Sequence, residues 1–129
     1  MILETSFIID FLRSEPDAAS KIKELRDNNI PIKITTPSIF ELWSGIISLE
    51  HSEKRTKNVA MFVQGQIILQ LDAASAEEAG KIDGKLIKIG KEIEPEDCMI
   101  AGIAVAKNEA VLTRDQHFDR IEGLKIEKY

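Results

Sequence analysis

The sequence contains one cysteine and few aromatic residues, and these shortages exclude several kinds of protein. Cys98 has no second cysteine with which to form an internal disulfide, and its place in an apolar stretch indicates a buried, inert side chain. Neither Cys98 nor His117 has Cys or His partners at the spacing of a zinc site. Phe, Trp and Tyr make up only 5% of the residues, so base stacking is not expected to be the main means of holding a nucleic acid.

Long apolar runs are also missing. No run approaches the roughly 18 to 20 residues that are needed to cross a bilayer, so we expect no association with a membrane. The first apolar stretch, MILETSFIIDFL, contains Glu4 and Asp10 and lacks a basic leader and a cleavage site of small residues. We therefore read it as a first strand and helix, and we expect a cytoplasmic protein.

An excess of positive charge is the third absence. The net charge is −5 and the pI is about 5.1. These values argue against a broad basic surface of the kind that grips nucleic acid. Acidic residues gathered in a cleft could nevertheless make the total negative while basic residues line the approach, so the net charge does not decide the partner.

Hydrophobic periodicity predicts one α/β domain over residues 1–129, because this length supports a single sizeable core. Short apolar runs predict strands at residues 1–3, 31–35, 67–71, 110–113 and 124–126. Helical spacing predicts helices at 7–12, 18–28, 36–47, 54–63, 75–90 and 95–107. Alternation of strands and helices with almost no hairpin signal implies crossover connections. We therefore expect a three-layer sandwich with a mainly parallel sheet.

The helix at 95–107 is predicted to be buried, because residues 99–106 are apolar on every side and mostly small. Pro95 suits the first turn of a helix, and Glu96 and Asp97 place carboxylates near the positive end of the helix dipole. A structural interpretation of Asp97 is a helix cap. Asp97 is not an isolated acid, however.

Four carboxylates are predicted to converge at one edge of the sheet. In parallel α/β sheets, sites collect at the carboxyl ends of the strands. Glu4 follows the first strand, and Asp115 lies two residues beyond Thr113 at the end of a later one. Glu41 and Asp97 lie on helices that lead from the same edge. Like charges in proximity favour a bound cation, and an all-oxygen set suits Mg²⁺ or Mn²⁺ better than zinc.

Four sequence blocks resemble the signature blocks of PIN-domain ribonucleases, in particular the VapC toxins of toxin–antitoxin pairs. The blocks are ETSFIIDFL with Glu4, PSIFELWSG with Glu41, EDCMIAGIA with Asp97, and VLTRDQHF with Asp115. They occur in the same order and at similar separations, so the resemblance covers essentially the whole chain. It implies a parallel sheet of four or five strands and cleavage of RNA that depends on Mg²⁺ or Mn²⁺. It also implies inhibition by a cognate antitoxin, whose C-terminal segment would lie along a groove near the site.

The resemblance further implies roles for individual residues. The acids expected at the catalytic centre are Glu4, Glu41, Asp97 and Asp115, of which Glu4, Asp97 and Asp115 would bind the metal. Supporting hydroxyl groups would come from Thr5, Ser6 and Thr113. Residues that could contact the RNA are His117, Lys81, Lys85 and Lys88. The alternative for the lysines is a solvated helix face, and the alternative for His117 is a packing or hydrogen-bonding role.

A homodimer is expected as well. The resemblance implies one, and the apolar content of two helices exceeds what a single small core can bury. The residues concerned are Phe40, Trp43, Ile46, Ile47, Met61 and Phe62.

Glu4 is the one departure from the pattern, because the PIN-domain ribonucleases usually have Asp there. One extra methylene moves the carboxylate by about a bond length, while Mg²⁺ demands near-ideal octahedral geometry. Two functions other than a nuclease are therefore possible alternatives. One is a PIN-like domain that binds RNA or protein without cutting. The other is a phosphoacceptor switch of the receiver type, which needs a lysine where this chain has Thr113 and Arg114.

Overall fold

The computed structural model describes residues 1–49 and 52–129, and its centre is one parallel five-stranded sheet. The strands are β1 (Ile2–Leu3), β2 (Lys33–Thr35), β3 (Ile67–Leu69), β4 (Val111–Leu112) and β5 (Ile126–Glu127). Their order is β3-β2-β1-β4-β5, and every pair is parallel. The predicted parallel α/β sheet is thus confirmed.

Six α-helices and a short 3₁₀ helix cover the sheet along the described chain. The α-helices are α1 (Thr5–Leu12), α2 (Pro16–Asp27), α3 (Thr36–Leu49), α4 (Glu53–Gln64), α5 (Ala73–Lys88) and α6 (Pro95–Lys107), and the 3₁₀ helix is Gln116–Arg120. None of the described helices is long and apolar enough to cross a membrane.

The strands divide their side chains between two cores, one on each face of the sheet. Ile2 and Val111 point into a cluster formed with α5 and α6, while Leu3 and Leu112 point into a cluster formed with α1 to α4. This alternation follows from the period of two along a strand. The two apolar faces give the predicted three layers.

The hairpin of α5 and α6 depends on a close contact at Gly102. A Cβ at this position would lie 2.6 Å from the backbone nitrogen of Ala79 and from the carbonyl oxygen of Ser75, so only glycine fits. The contact fixes α6 against α5. Because Asp97 lies in the first turn of α6, the same contact helps to set its position.

Four helices begin one or two residues before the start that the sequence predicted, and acidic caps account for two of these differences. The helix expected to open at Ser75 begins at Ala73, and its cap is Asp72, which forms a reciprocal capping box with Ser75. The helix expected at 7–12 begins at Thr5, because its cap is Glu4, whose side chain accepts a hydrogen bond from the backbone of Ser6. In both cases the acid before the expected start supplies the acceptor.

Candidate functional site

The carboxyl edge of the sheet brings together acids from four separate segments. Glu4 follows β1, Asp115 lies shortly after β4, and Asp97 occupies the first turn of α6. Glu41 extends from α3, which begins directly after β2. The charge of Glu4 acts on both Glu41 and Asp97, and the charge of Asp115 acts on Glu4 and Asp97. The fold therefore brings these four acids close enough for their charges to interact.

Glu4 is buried and held by three donors. Its Oε1 accepts from the backbone N–H of Ser6 at 2.9 Å, and its Oε2 accepts from the Ser6 hydroxyl and, at 3.0 Å, from the Thr113 hydroxyl. Burial raises the pKa of Glu4 and the charge of Asp115 raises it further, while these hydrogen bonds oppose the rise. Ser6 and Thr113 thus orient the carboxylate.

Glu41 is held by a chain of hydroxyl groups that begins at the end of β2. The Thr5 hydroxyl donates to Glu41 Oε1 at 2.7 Å and lies 3.1 Å from the Ser38 hydroxyl oxygen, which in turn lies 3.1 Å from that of Thr35. Burial raises the pKa of Glu41, and the charge of Glu4 adds to the effect. Thr5 is therefore a positioning residue for Glu41.

Asp97 has the most perturbed carboxyl group of the four. Burial and the charges of Glu4, Glu41 and Asp115 raise its pKa from 3.8 to about 7. Its side chain accepts no hydrogen bond from any residue within the described chain, in contrast to Glu4 and Glu41. A crowded, poorly solvated carboxylate of this kind gains much from a bound cation.

Asp115 and His117 form a compact pair at the start of the 3₁₀ helix. Asp115 Oδ1 accepts from the backbone N–H of His117 at 2.8 Å and lies 2.9 Å from His117 Nδ1. The backbone N–H of Asp115 donates to the Thr113 hydroxyl at 2.9 Å. Both contacts to His117 involve Oδ1, so the second oxygen of Asp115 is available for another ligand.

The donor atoms at the site fit a divalent cation. One ligand atom each from Asp97, Asp115 and His117 lie within 4.8 Å of one another. Two carboxylates suit Mg²⁺ or Mn²⁺, and an imidazole nitrogen is a ligand more typical of transition-metal ions. Glu4, predicted as a ligand, does not belong to this compact set, since its oxygens face Ser6 and Thr113. The grouping of Asp115 with His117 was missed because the sequence pattern marked only acids.

An open cleft of about 630 Å³ lies beside Asp115. Its lining residues are Ser6, Arg114, Asp115, Gln116, His117 and Arg120. His117, predicted as a substrate contact, faces this cleft. The three lysines predicted as contacts do not line it: Lys81, Lys85 and Lys88 are exposed on α5, and Lys81 lies near Glu77 and Glu78.

Two arginines of the cleft were missed in the sequence. Arg114 directly precedes Asp115 in the chain, and Arg120 follows at the end of the 3₁₀ helix Gln116–Arg120, so their closeness to Asp115 in the sequence was the signal that could have identified them. The three lysines were predicted instead because they are regularly spaced on one helix. Regular spacing on a helix does not indicate which end of the sheet the side chains approach.

A second, more apolar groove of about 330 Å³ lies between α1, α3 and α4. Its apolar lining includes Ile9, Leu12, Leu42, Ile46, Leu49 and Val59. Arg13, Lys54 and Arg55 add positive charge, and Glu41 belongs to the same lining. The groove therefore reaches the acidic cluster at Glu41.

Cys98 is buried next to this cluster, as expected. Burial and the nearby Asp83 carboxylate raise the pKa of its thiol to about 12. A thiol in this state is a poor nucleophile and a poor metal ligand.

Comparison with known proteins gives one family and several related structures. The model of the PIN domain family matches residues 1–124. A tRNA(fMet)-specific endonuclease VapC of Shigella flexneri is 28% identical over 99% of this chain and 96% of its own length. The DNA-bound VapBC complex of Salmonella typhimurium contains a chain that is 26% identical, with a TM-score of 0.87 over 98% of this chain and 96% of that one.

A third comparison supports the fold. VapBC2 of Rickettsia felis, solved with a DNA fragment of its promoter, has a chain with a TM-score of 0.86 and 24% identity over 98% of this chain and 96% of that one. The resemblance drawn from the four sequence blocks is confirmed by these matches. They also exclude the phosphoacceptor switch as the class of this chain.

Proposed function

The chain belongs to the PIN domain family, and we propose that it is a divalent-metal-dependent endoribonuclease that acts as the toxin of a toxin–antitoxin pair. The observation that carries this proposal is the convergence of Glu4, Glu41, Asp97 and Asp115 with the pKa of Asp97 raised to about 7. The VapC relative named as a tRNA endonuclease supports RNA as the substrate.

Asp97 and Asp115 would hold the cation, which we take to be Mg²⁺ or Mn²⁺, and Glu4, whose oxygens face Ser6 and Thr113, would contact it directly or through water. When bound, the cation supplies water activation and stabilisation of the charge that develops on the phosphate. Ser6 and Thr113 keep Glu4 oriented, and His117 keeps Asp115 oriented. Such outer hydrogen bonds are a normal part of a metal site.

Glu41 would position the attacking water. Its carboxylate is fixed by the Thr5 hydroxyl and is only half-buried, so its accessible side can accept a hydrogen bond from a water. The raised pKa of Glu41 brings it closer to the range in which it can take up a proton. No side-chain nucleophile is needed for this chemistry.

The direct test is RNA cleavage by the purified protein with Mg²⁺ or Mn²⁺, using total tRNA and a short synthetic RNA. We expect cleavage with either ion, loss with EDTA, and a fall of at least about 10²-fold in Asp97→Asn. Asp27→Asn is the matched control, since Asp27 is an exposed acid on α2. Equal activity in Asp97→Asn and Asp27→Asn would refute the assignment.

Metal binding can be tested without activity. A cation that binds only the native state raises the melting temperature by mass action. We expect Mg²⁺ and Mn²⁺ to raise it in the parent and in Asp27→Asn but not in Asp97→Asn.

A PIN domain that binds RNA without cutting is the second candidate, and Glu4 is the observation that favours it. The longer side chain is already satisfied by Ser6 and Thr113. RNA binding without cleavage in Mg²⁺ or Mn²⁺, by a folded protein that binds the ion, would select this candidate.

The antitoxin would occupy the groove between α1, α3 and α4. Its apolar floor and its positive rim fit an amphipathic segment with acidic residues, and Glu41 at the groove links its occupant to the active site. Leu49 is 84% exposed at this groove. We expect Leu49→Glu to weaken binding of a purified candidate antitoxin in calorimetry, whereas Ile68→Glu, on the edge strand, should not.

A further inference from the structure

Arg114 of the cleft is tied to a buried carboxylate that the proposed chemistry does not use. Asp10 lies on α1 with its side chain 5% exposed. Arg114 Nη2 donates to Asp10 Oδ1 at 3.0 Å, and the Tyr129 hydroxyl donates to Asp10 Oδ2 at 2.6 Å. Both oxygens of the carboxylate are therefore occupied, and Asp10 cannot move without breaking one of these bonds.

Tyr129 is itself held in place by α1. Its ring packs edge-on against Phe7, with the centroids 4.6 Å apart and the planes at 84°. Phe7 is fully buried and precedes Asp10 by three residues, so one face of α1 supplies both the ring contact and the hydrogen-bond acceptor. Burial and the hydrogen bond to Asp10 raise the pKa of Tyr129, so its hydroxyl remains a donor near neutral pH.

The arginine itself stays open to the cleft. The Arg114 side chain is 60% exposed although one of its nitrogens is bound to Asp10. A guanidinium group carries five N–H donors in a rigid plane, and within the described part of the chain only Nη2 is engaged. The Arg114 side chain lines the cleft together with Ser6 and Asp115. Asp10 thus fixes the orientation of the guanidinium group, while the rest of the group stays accessible from the cleft.

An RNA substrate needs a positively charged group, such as the Arg114 guanidinium, at the cleft. Asp115 lines the cleft and belongs to the cluster of four interacting carboxylates in a chain of net charge −5, and these negative charges repel the phosphates of an approaching strand. Arg120 is oriented in a similar way, because its Nη1 donates to the carbonyl oxygens of Lys91 at 3.4 Å and Glu92 at 3.2 Å. The two arginines supply positive charge on either side of Asp115 in the chain.

We propose that Arg114 binds a backbone phosphate next to the bond that is cut, and that Asp10 and Tyr129 are positioning residues for it. The inference rests on the proposed ribonuclease function and adds how the strand is held. A phosphate contact carries no sequence information, so Arg114 contributes affinity and register, and other residues decide the target.

The test measures RNA binding by fluorescence anisotropy in EDTA, where the metal-dependent reaction cannot proceed. The probes are two short labelled single-stranded RNAs of different sequence. Arg114→Ala should weaken binding of both about equally, by roughly tenfold, and should lower the slope of log affinity against log salt by about 0.7. Arg114→Lys should keep part of the affinity, because lysine retains the charge but not the planar fork.

Arg26→Ala is the matched control, since Arg26 is an exposed arginine in the last turn of α2. It should bind both RNAs like the parent. With the metal present, Arg114→Ala should raise KM and change kcat little, because a contact that holds the strand equally before and during the reaction affects binding alone.

Asp10 is tested through its dependence on Arg114. Asp10→Asn retains an acceptor for the Tyr129 hydroxyl but loses the charge that holds Arg114, so we expect a severalfold loss of RNA affinity. The same change in the Arg114→Ala background should cause no further loss. A general structural role for Asp10 would weaken binding in both backgrounds. If Asp10→Asn does not fold, the two substitutions at the exposed Arg114 still decide the proposal.

The outcomes are distinct for the two proposals. A parent that cuts RNA, together with an Arg114→Ala variant that matches Arg26→Ala in KM, affinity and salt slope, overturns the role of Arg114 and leaves the ribonuclease intact. A parent that neither binds nor cuts RNA overturns both.

Discussion

Glu4 combines two tasks that usually fall to a shorter residue. It caps α1 and contributes a carboxylate to the acidic cluster. Asp, Asn, Ser and Thr are the preferred caps because their short side chains reach the backbone N–H groups without strain. Glu4 can serve as the cap because hydrogen bonds from Ser6 and Thr113 hold its longer side chain in place.

The length of Glu4 leads to a metal-preference prediction. A carboxylate displaced by a bond length suits Mn²⁺, which is larger and more tolerant of distorted coordination than Mg²⁺. We expect the parent to cut RNA better with Mn²⁺. Glu4→Asp should raise kcat/KM with Mg²⁺ by about tenfold or more, because a misplacement of about 1 Å can cost up to about 10²-fold.

Glu4→Gln serves as the control for that experiment, and it should lose activity with either ion. If Glu4→Gln cuts as well as the parent, Glu4 is not a ligand. If Glu4→Asp folds and binds the ion but stays inactive, the non-cutting PIN domain is the better description.

The raised pKa of Asp97 gives a pH dependence with a definite sign. The folded protein binds its proton more tightly than the unfolded chain, since the pKa rises from 3.8 to about 7. Ionisation of Asp97 therefore costs stability, and the free energy of unfolding of the metal-free protein should fall as the pH rises from about 4 to about 7. For Asp97 alone the loss is at most about 4 kcal/mol.

Urea unfolding of the parent and of Asp97→Asn at several pH values measures this loss as a difference. The variant should be the more stable protein at pH 8 in EDTA. Saturating Mg²⁺ should reverse the trend, since the ion competes with the proton, and its effect on the melting temperature should grow from pH 6 to 8. A parent and a variant with parallel pH profiles would contradict the environment assigned to Asp97.

At the scale of elements, the contact between α5 and α6 controls how the site is held. Gly102→Ala places a methyl group 2.6 Å from backbone atoms of Ser75 and Ala79, and backbone cannot yield as a flexible side chain can. We expect a loss of about 1–3 kcal/mol in the free energy of unfolding. Because the helices must separate, metal affinity should fall as Asp97 moves.

Gly84→Ala is the matched control on the other helix. A Cβ there meets nothing within 4 Å, and alanine favours a helix by up to about 1 kcal/mol. Urea denaturation should show a gain for Gly84→Ala and a loss for Gly102→Ala. Equal stability of the two variants would mean that the helices adjust freely.

Most elements could be predicted from the sequence, but their exact starts could not. The order of strands and helices follows from hydrophobic periodicity, which is strong in this chain. The start of α5 depends on whether Asp72 or Ser75 supplies the cap, and both are good caps. The reciprocal bonds that join these two residues appear only when the backbone geometry is known.

At the scale of the whole molecule, an exposed apolar stripe on α3 bears on the oligomeric state. Phe40 and Ile47 are 61% and 62% exposed, and Trp43 lies between them at helical spacing. Met61 on α4 is 62% exposed, whereas Ile46, expected with this set, is buried in the core. We expect these residues to form the interface of a homodimer.

Sedimentation velocity at micromolar concentration measures this state directly. The parent should sediment as a dimer, and Phe40→Glu should sediment as a folded monomer. Ile89→Glu, at an equally exposed position at the end of α5, should remain dimeric. A monomeric parent would count against the homodimer.

The convergence of the acids could be predicted because strand ends share an edge in a parallel sheet. The roles of Arg114 and Asp10 could not, because their pairing joins residues 104 positions apart and no periodic signal links them. His117 was predicted as a substrate contact, with a packing or hydrogen-bonding role as the alternative, and its grouping with Asp97 and Asp115 was missed for a similar reason. Its proximity to Asp97 depends on how the 3₁₀ helix meets α6.

The strand order also determines when the molecule can become active during its synthesis. β1 leaves the ribosome first, yet one of its two neighbours in the sheet is β4, and Glu4 meets Thr113 across 109 residues. Contacts of such long range form late and slowly. A nascent chain that stops short of β4 therefore has Glu4 without its Thr113 partner and lacks Asp115 altogether. We expect translation itself to delay the appearance of a competent nuclease until nearly the whole described chain has emerged.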